Sequence, residues 1–291
     1  MEFYVGCPIW ANKSWVNSLY PKGTKPSDFL RVYAQQLTTV EGNTTFYAVP
    51  APATVQHWAE ETPETFRFCP KLPRTISHAG RLMEHREEAM QFLEVMSGLG
   101  SRLGPLFLQL PPRYSPAMMD DLGEFLRNWP SEMQLAVEVR HPAWFDAPHH
   151  EGLQAMLSGY RMARVVIDTR PIRTLDGEQI LQGSVYERML QARERKPSLP
   201  VIFEPTGPFT FLRYIGHPNM EHNAPFLEEW AAHLSEWLEK GLDSYVFCHC
   251  PDERIDPQLC RDLHRRVSER ISIAPLPKIN TDALPRQERL F

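Results

Sequence analysis

The sequence has no long hydrophobic run and no strong excess of one charge. No apolar stretch approaches the roughly 20 residues that a membrane-spanning helix needs, so no membrane association is predicted. The formal net charge is −5 and the pI is about 6.1. Nucleic acid could therefore be held only by a local group of basic residues, because the protein as a whole does not attract polyanions.

Cysteine is scarce as well, with five residues in 291. Cys248 and Cys250 are too close in sequence for the usual zinc spacing, and no second pair completes a set of four ligands. The first residues, MEFYVG, lack the basic segment and apolar run of a signal peptide. Sparse, unpaired cysteines are typical of reducing compartments. These features predict a cytoplasmic protein.

Several common motifs are missing. There is no Gly-x-Gly-x-x-Gly or Walker-type loop and no Gly-x-Ser-x-Gly elbow, which argues against dinucleotide, nucleoside triphosphate and serine hydrolase sites. We predict no cofactor. No His-x-His or His-Glu-x-x-His spacing is present either, and no metal site is predicted. A metal site stays open as an alternative, because several side chains have suitable donor atoms: His78, His141, His249, Glu138 and Asp168.

Eight short apolar runs alternate with amphipathic stretches along the chain. Strands that alternate with helices are typical of parallel βα units, and at this length the economical closure is a (β/α)8 TIM barrel. An open doubly wound sheet is the alternative. The runs lie at 3–7, 38–43, 66–71, 105–110, 135–140, 164–170, 209–216 and 244–250, and the clearest helical patterns at 27–37, 84–96, 225–241 and 257–267.

We predict a single barrel domain at residues 1–272 and a flexible Pro-rich tail at 273–291. Ser27 is expected to cap the first helix. The stretch 171–208 is longer than a βα connection needs and is expected to carry a helix.

Polar side chains stand at the predicted carboxyl ends of seven strands. Side chains at i and i+2 share a face of a strand, and active sites of TIM barrels lie at the carboxyl ends of the strands. We therefore expect one cavity at this mouth, since seven coincident polar ends are hard to explain as separate ion pairs. The pairs are Glu41 and Asn43, Cys69 and Lys71, Phe107 and Gln109, Glu138 and Arg140, Asp168 and Arg170, Phe211 and Arg213, and Phe247 and His249.

Four motifs resemble those of the YecE-like family, also called domain of unknown function 72. They are VEGNTTFYAVP (40–50), FRFCPKLPRTISH (66–78), LQLPP (108–112) and VEVRHPAWF (137–145). The resemblance runs from end to end and implies a TIM barrel, but it implies no reaction. The chain departs from the commoner family pattern at GCPIW (6–10), RYIG (213–216) and FCHCP (247–251), which suggests a subfamily with its own substrate.

Cations at the predicted mouth favour an anionic ligand. The planar guanidinium of Arg suits phosphate and carboxylate, so we expect Lys71, Arg140 and Arg213 to hold a phosphate-bearing small molecule or nucleic acid. The expected reaction is acid/base chemistry of a hydrolase or lyase type, with four residues as catalytic candidates: Glu41, Glu138, Asp168 and His249. Further substrate-binding candidates are Asn43, Tyr47, His78, Gln109, His141 and Trp10.

Other interpretations of the same residues stay open. Each cation could simply neutralise a neighbouring acid. Glu41 and Glu138 could form the carboxyl pair of a glycosidase. The barrel could also be a non-catalytic binding or adaptor protein. The loop aromatics Trp10, Trp15, Tyr20, Tyr47 and Trp144 could line a pocket or pack under a lid.

The last five residues, QERLF, resemble the Gln-x-x-Leu-Phe peptides by which bacterial replication and repair proteins bind the sliding clamp. In that interpretation Gln287 makes polar contacts, and Leu290 and Phe291 fill an apolar pocket. Burial of two such side chains could supply roughly 3 to 6 kcal/mol before ordering costs. The alternative is that Leu290 and Phe291 dock on the outer helices of the barrel.

Overall fold

Eight parallel strands follow one another around a barrel in a computed structural model that describes residues 1–174 and 183–278. Each strand coincides with one of the eight apolar runs of the sequence. The strands are β1 (Phe3–Cys7), β2 (Thr39–Gly42), β3 (Arg67–Pro70), β4 (Leu106–Gln109), β5 (Leu135–Glu138), β6 (Ala163–Asp168), β7 (Phe209–Ile215) and β8 (Asp243–His249).

The barrel is nearly closed between β3 and β4. The backbone N–H groups of Gly104 and Leu72 donate to the carbonyls of Phe68 and Phe107 at 2.8 and 2.9 Å, and a further bridge pairs Lys71 with Phe107. All other neighbours are joined by parallel ladders. A doubly wound sheet has open edges and a reversal of strand order. The TIM-barrel prediction is therefore confirmed, and the open sheet is excluded.

Helices follow the strands and cover the outside of the barrel. Three of the four predicted helical patterns agree with the structure to within two residues. The first helix is shorter than predicted at both ends. It begins at Phe29 after a 3-10 turn that starts at Pro26, so Ser27 does not cap it, and it ends at Tyr33. The helices are α1 (Phe29–Tyr33), α2 (Pro52–Glu60), α3 (Arg74–Ser77), α4 (Arg86–Ser97), α5 (Met119–Arg127), α6 (His149–Gly159), α7 (Gly183–Arg195), α8 (Ala224–Glu239) and α9 (Asp256–Ser268). The helix expected within 171–208 is α7.

An aromatic layer fills the inside of the barrel. The ring of Phe211 stacks on Phe107 with centroids 5.2 Å apart and packs against Phe247 at 4.8 Å. Nearer the amino ends of the strands, Tyr4 stacks on Tyr245 at 4.7 Å. These buried rings leave no channel through the middle of the barrel, and they form an apolar floor beneath the carboxyl ends of the strands.

Beyond α9, the chain runs back over that helix as far as the structure describes it. The imidazole Nε2 of His264 lies 3.0 Å from the carbonyl oxygen of Ala274, and Ile273 and Leu276 pack against the core. Gln287, Leu290 and Phe291 lie outside the described residues, and the boundary at residue 272 stays a prediction. No helix in the described ranges is long and apolar enough to span a bilayer.

Candidate functional site

Six strands each bring one polar side chain to the carboxyl-terminal mouth, directly above the aromatic floor. Each of these residues is at most 8% exposed. Arg140, which follows β5, joins them with its guanidinium partly buried. The six are Glu41, Lys71, Gln109, Glu138, Arg213 and His249, and together with Arg140 we call them the mouth cluster.

Arg213 is the centre of the mouth cluster. Its Nε and Nη2 donate to the two oxygens of Glu41 at 2.7 and 2.9 Å, and its Nη1 donates to Oε2 of Glu138 at 2.8 Å. The guanidinium also lies 5.0 Å from the ring centroid of Phe107. One arginine therefore links carboxylates from opposite sides of the barrel, with the two-pronged geometry that makes guanidinium–carboxylate pairs strong.

A hydrogen-bonded arm runs from Glu138 to Lys71. Oε1 of Glu138 accepts from Arg140 and from Nε2 of Gln109 at 2.9 Å. The carbonyl oxygen of Gln109 in turn accepts from Nζ of Lys71 at 2.9 Å. Gln109 therefore lies between the lysine and the carboxylate, and within the described residues the ammonium group donates to this neutral amide and to no carboxylate.

His249 and Asn43 hold the other carboxylate. Nδ2 of Asn43 donates to Glu41 at 2.7 Å, and Nε2 of His249 lies 3.1 Å from Oε2 of Glu41. Because an ionised carboxylate only accepts hydrogen bonds, Nε2 of His249 must carry the proton. Burial lowers the pKa of this imidazole to about 4, although Glu41 opposes the shift. His249 is therefore neutral at pH 7.

Both glutamates are ionised. Burial alone would raise the pKa of Glu138, but Arg140 and then Arg213 hold it at about 2. Arg213 and His249 likewise overcome burial and keep the pKa of Glu41 well below its usual range. Glycoside cleavage needs one protonated carboxyl group as the acid. This pair supplies none, which removes the support for the glycosidase interpretation and for either glutamate as a general acid.

Lys71 is in the opposite electrostatic situation. Burial, and then the positive charge of Arg213, lower its pKa to about 7. No carboxylate lies within ion-pair distance of its ammonium in the described parts of the chain. The ammonium lies 4.0 Å from the ring centroid of Phe46, a cation–π contact,. Lys71 is thus a buried cation whose charge is only partly compensated.

The prediction that Asp168 and Arg170 belong to the mouth cluster is wrong. In β6 the residues that face the interior are Ala163, Val165 and Ile167. Asp168 therefore points outwards to α8, where its oxygens accept from Nε1 of Trp230 at 2.7 Å and from Arg170 at 2.8 and 3.0 Å. It is not placed to act at the mouth.

Most of the predicted pocket aromatics are core residues. Trp15, Tyr20 and Trp144 are fully buried. Trp10 packs edge-on against Trp58 of α2 with centroids 5.2 Å apart, so its ring lies against the outer layer and does not join the mouth cluster.

Tyr47 differs from these residues because its side chain is 75% exposed. It packs at the rim against Phe46, with centroids 5.2 Å apart.

The two remaining predicted histidines have different surroundings. His141 caps the short 3-10 helix at Pro142–Phe145, where its Nδ1 accepts from the N–H of Ala143 at 3.2 Å. It makes no hydrogen bond to the mouth cluster. His78 packs edge-on against Phe46 at 5.1 Å, and burial together with Lys71 lowers its pKa to about 4. Of these two residues, only His78 borders the mouth.

The sequence of residues 4–282 matches the family described as "Protein of unknown function DUF72". The chain belongs to the DUF72 family. It is 33% identical over 290 residues to the UPF0759 protein YecE of Escherichia coli K12, which covers 99% of both chains. It is 24% identical over 258 residues to the UPF0759 protein YunF of Bacillus subtilis 168, which covers 84% of this chain and 86% of that one. The resemblance inferred from the sequence motifs is therefore confirmed.

Solved structures of DUF72 proteins share the fold. One from Enterococcus faecalis V583 superposes with a TM-score of 0.66 at 16% identity and covers 94% of this chain and 98% of its own. One from Thermotoga maritima MSB8 gives a TM-score of 0.65 at 18% identity, with coverage of 93% and 99%. At these identities the likeness establishes the barrel and does not assign roles to side chains.

Sequence reasoning missed Lys196 of this DUF72 chain. It directly follows α7 and lines a cavity of about 180 Å³ beside the mouth, together with His249. Burial, and then Arg213, lower its pKa to about 8. No strand pattern leads to this residue, and we find no signal in the sequence that would have selected it.

Two exposed arginines also lie at the rim, Arg74 after β3 and Arg113 after β4. Arg113 donates to the carbonyl of His78. Neither guanidinium has an acidic partner among the described residues. The same ranges contain no group of three or more His, Cys, Asp or Glu residues placed to hold a metal ion.

Proposed function

We propose that this DUF72 protein binds a phosphate-bearing anion at the barrel mouth. Lys71, Arg140 and Lys196 would hold the anion around the guanidinium of Arg213. Glu41 and Glu138 would fix that guanidinium in place and would not carry protons. The protein would act as an enzyme on this ligand, with the neutral imidazole of His249 as its proton carrier.

An unbalanced charge is the observation that carries this proposal. The mouth has four basic side chains that interact electrostatically with only two carboxylates, those of Glu41 and Glu138. The four are Lys71, Arg140, Lys196 and Arg213. Buried charges are costly unless they are paired. A cluster built only for stability would come close to neutrality, so the two surplus lysines favour an anionic ligand over mutual neutralisation.

The rim favours a ligand that also carries a flat ring. Tyr47 exposes most of its ring beside Phe46, and Arg74 and Arg113 add positive charge next to His78. An exposed aromatic side chain with nearby cations can stack on a base while the phosphate meets the basic groups. A nucleotide or a nucleic acid strand would use both the aromatic ring and the basic groups, whereas inorganic phosphate would use only the basic groups.

Anion titration tests the proposal. Sulfate is the first probe, because its charge does not change near neutral pH, and AMP and a short single-stranded oligonucleotide follow it. We expect saturable calorimetric binding of sulfate at about 10 mM or below. Binding should weaken as the pH rises through 7, because Lys71 then loses its proton. No saturable sulfate binding, or affinity independent of pH between 6 and 8, would contradict the proposal.

Matched lysine variants sharpen the titration. Lys71→Met removes the buried cation, whereas Lys240→Met removes an exposed one that pairs with Glu236 on α8. We expect at least a tenfold loss of sulfate affinity in the first variant and no change in the second. Tighter binding of AMP than sulfate, lost in Tyr47→Ala, would support a ligand with a flat ring.

We also propose, as a second function, that residues 287–291 bind a bacterial sliding clamp through Gln287, Leu290 and Phe291. The sequence QERLF alone supports this interaction. A labelled peptide of residues 280–291 is expected to bind the clamp of the same organism with micromolar affinity. Equal binding by a peptide with Leu290 and Phe291 changed to Ala, or no saturation below about a millimolar, would rule it out.

A further inference from the structure

The cavity of about 180 Å³ opens next to the mouth cluster, between the carboxyl ends of β7 and β8 and the end of α7. Its walls are both apolar and polar, and two basic side chains, Lys196 and His249, line it. The volume corresponds to roughly six waters of liquid volume, which suits a molecule of a few carbon atoms. The other lining residues are Pro8, Ala192, Ile215, Cys250, Pro251, Glu253 and Asp256.

The backbone holds Lys196 in position while its amine stays available. The N–H of Lys196 donates to the carbonyl of Ala192 at 2.9 Å, and its own carbonyl accepts from Nη2 of Arg173 at 2.6 Å. The side chain is partly buried. Its amine has no hydrogen bond or ion pair with any residue that the structure describes. A fixed lysine at a cavity, with no described carboxylate within ion-pair distance, has the features of an amine nucleophile.

His249 supplies a base of defined tautomer in the same cavity. Its Nε2–H is engaged by Glu41 at 3.1 Å, so Nδ1 is the nitrogen that carries the lone pair. No hydrogen bond to Nδ1 is formed within the described chain. A carboxylate that orients an imidazole in this way is a common arrangement for a general base.

We propose that Lys196 forms an imine with a small aldehyde or ketone bound in this cavity, with His249 as the base. The neutral amine attacks the carbonyl carbon, and a C–N bond forms as the carbonyl electrons move to oxygen. Nδ1 of His249 carries one proton from the nitrogen to the alkoxide oxygen, which gives the carbinolamine, and then a second proton from the nitrogen to its hydroxyl group. That group leaves as water, and the C=N bond forms without any oxidant or reductant. This activity goes beyond anion binding and stands if anion binding fails.

The charges around Lys196 support this role. Arg213 of β7 and Arg140 after β5 lower its pKa, Glu41 of β2 and Glu138 of β5 raise it, and burial is the largest effect. With a pKa of about 8, roughly a tenth of the amine is neutral at pH 7,. A lysine in water is neutral to less than about one part in a thousand at that pH.

Reductive methylation detects imine formation at Lys196 directly. Formaldehyde fits any cavity of this size, and borohydride fixes the imine as a stable methylamine that mass spectrometry assigns to one lysine. We expect Lys196 of the full-length protein to be modified with a midpoint near pH 8. Lys240, exposed directly after α8, serves as the reference lysine. A Lys196 midpoint equal to that of Lys240 would overturn the proposal.

Two further measurements separate chemistry from mere exposure. Glycolaldehyde, which is larger than formaldehyde, should label Lys196 at least tenfold faster than Lys240 at pH 7, and His249→Ala should slow the labelling of Lys196 but not of Lys240. Equal labelling of the two lysines, or no effect of His249→Ala, would contradict the proposal. Sulfate titration of Lys196→Met reports on anion binding separately, so the failure of either proposal can be recognised without the other.

Discussion

The chain contains two acid-x-Arg segments at strand ends, and the barrel uses them in opposite ways. Glu138 and Arg140 face the mouth, where the carboxylate also bonds to Arg213 and Gln109. Asp168 and Arg170 face outwards. Each oxygen of Asp168 accepts from Arg170, and Oδ2 also accepts from Trp230.

The difference lies in the charge balance. In the outer pair, Arg170 also forms an ion pair with Glu229, so two acids, Asp168 and Glu229, share one cation. The inner pair lies in a cluster with surplus cations. A buried ion pair with matched charges can be accounted for by its contribution to folding stability. A buried charge without a matching partner destabilises the fold, so its presence needs another explanation, such as ligand binding. Charge balance, more than the motif, therefore separates a structural ion pair from a candidate site.

The largest expected effect comes from removing the shared arginine of the mouth. Arg213→Met leaves Glu41 buried without its main partner and Glu138 without one of its two arginines. We expect a loss of about 3 to 5 kcal/mol in the free energy of unfolding at pH 7. Arg170→Met should cost only about 1 to 2 kcal/mol, because Asp168 keeps the indole N–H of Trp230. Urea unfolding of both variants measures the contrast, and equal losses would contradict it.

The same contrast should appear with pH. The pKa of Glu138 is held at about 2, below its usual value of 4.5, so its pairing contributes stability above about pH 4.5 that is lost as the pH falls towards 2. The stability difference between wild type and Arg213→Met should therefore shrink over this range. A difference that is constant from pH 5 to pH 2 would argue against ionised, paired glutamates.

The next largest effect is an increase in stability. Lys71 has a pKa of about 7 in the folded protein against an ordinary 10.5, so folding disfavours its charged form. Lys71→Met should raise the free energy of unfolding by about 1 to 3 kcal/mol at pH 7 and below, and this gain should vanish between pH 7 and 10.5. Thermal and urea unfolding across that range test it. A variant less stable than wild type at pH 6 would show that Lys71 is well compensated.

A smaller effect is expected on the outer face. Asp168→Asn keeps the shape of the side chain but removes the charge that Arg170 meets, so we expect a loss of about 1 kcal/mol in stability. Sulfate affinity should not change, since Asp168 lies outside the mouth cluster. A clear loss of sulfate binding in this variant would return Asp168 to the candidate site.

The smallest effect concerns the rim. Arg113 is exposed, and an exposed charge is screened by salt. Arg113→Gln should weaken AMP binding about two- to threefold at low ionic strength and leave it unchanged at high salt. An effect that persists at high salt would mean a direct contact with the ligand.

The sequence was a good guide wherever periodicity was strong. All eight strands were predicted, because parallel barrel strands are buried on both faces and read as continuous apolar runs. Most of the mouth cluster followed from the i and i+2 rule. That rule failed at β6, since Val165, Val166 and Ile167 are all apolar and their order does not reveal which side faces inwards. The register of Ile167 beside Arg213 decides it, and register is a property of the assembled sheet.

Two other misses have different causes. The position of Trp10 after β1 predicts a place at the mouth, but a loop can fold to either side, and Trp58 and Phe68 provide an apolar surface for it outside the barrel. Lys196 belongs to no strand. Its position depends on how α7 packs and on the charge of Arg213, and neither is visible in local sequence.

The contacts of Glu41 also say something about how the protein comes into being. During synthesis Glu41 leaves the ribosome 172 residues before Arg213 and 208 residues before His249. Until β7 and then β8 emerge, this carboxylate has the amide of Asn43 but neither of its basic partners, so the barrel cannot close early around a finished site. The mouth is assembled last, and any nascent chain truncated before β8 carries the acid but not the histidine it orients.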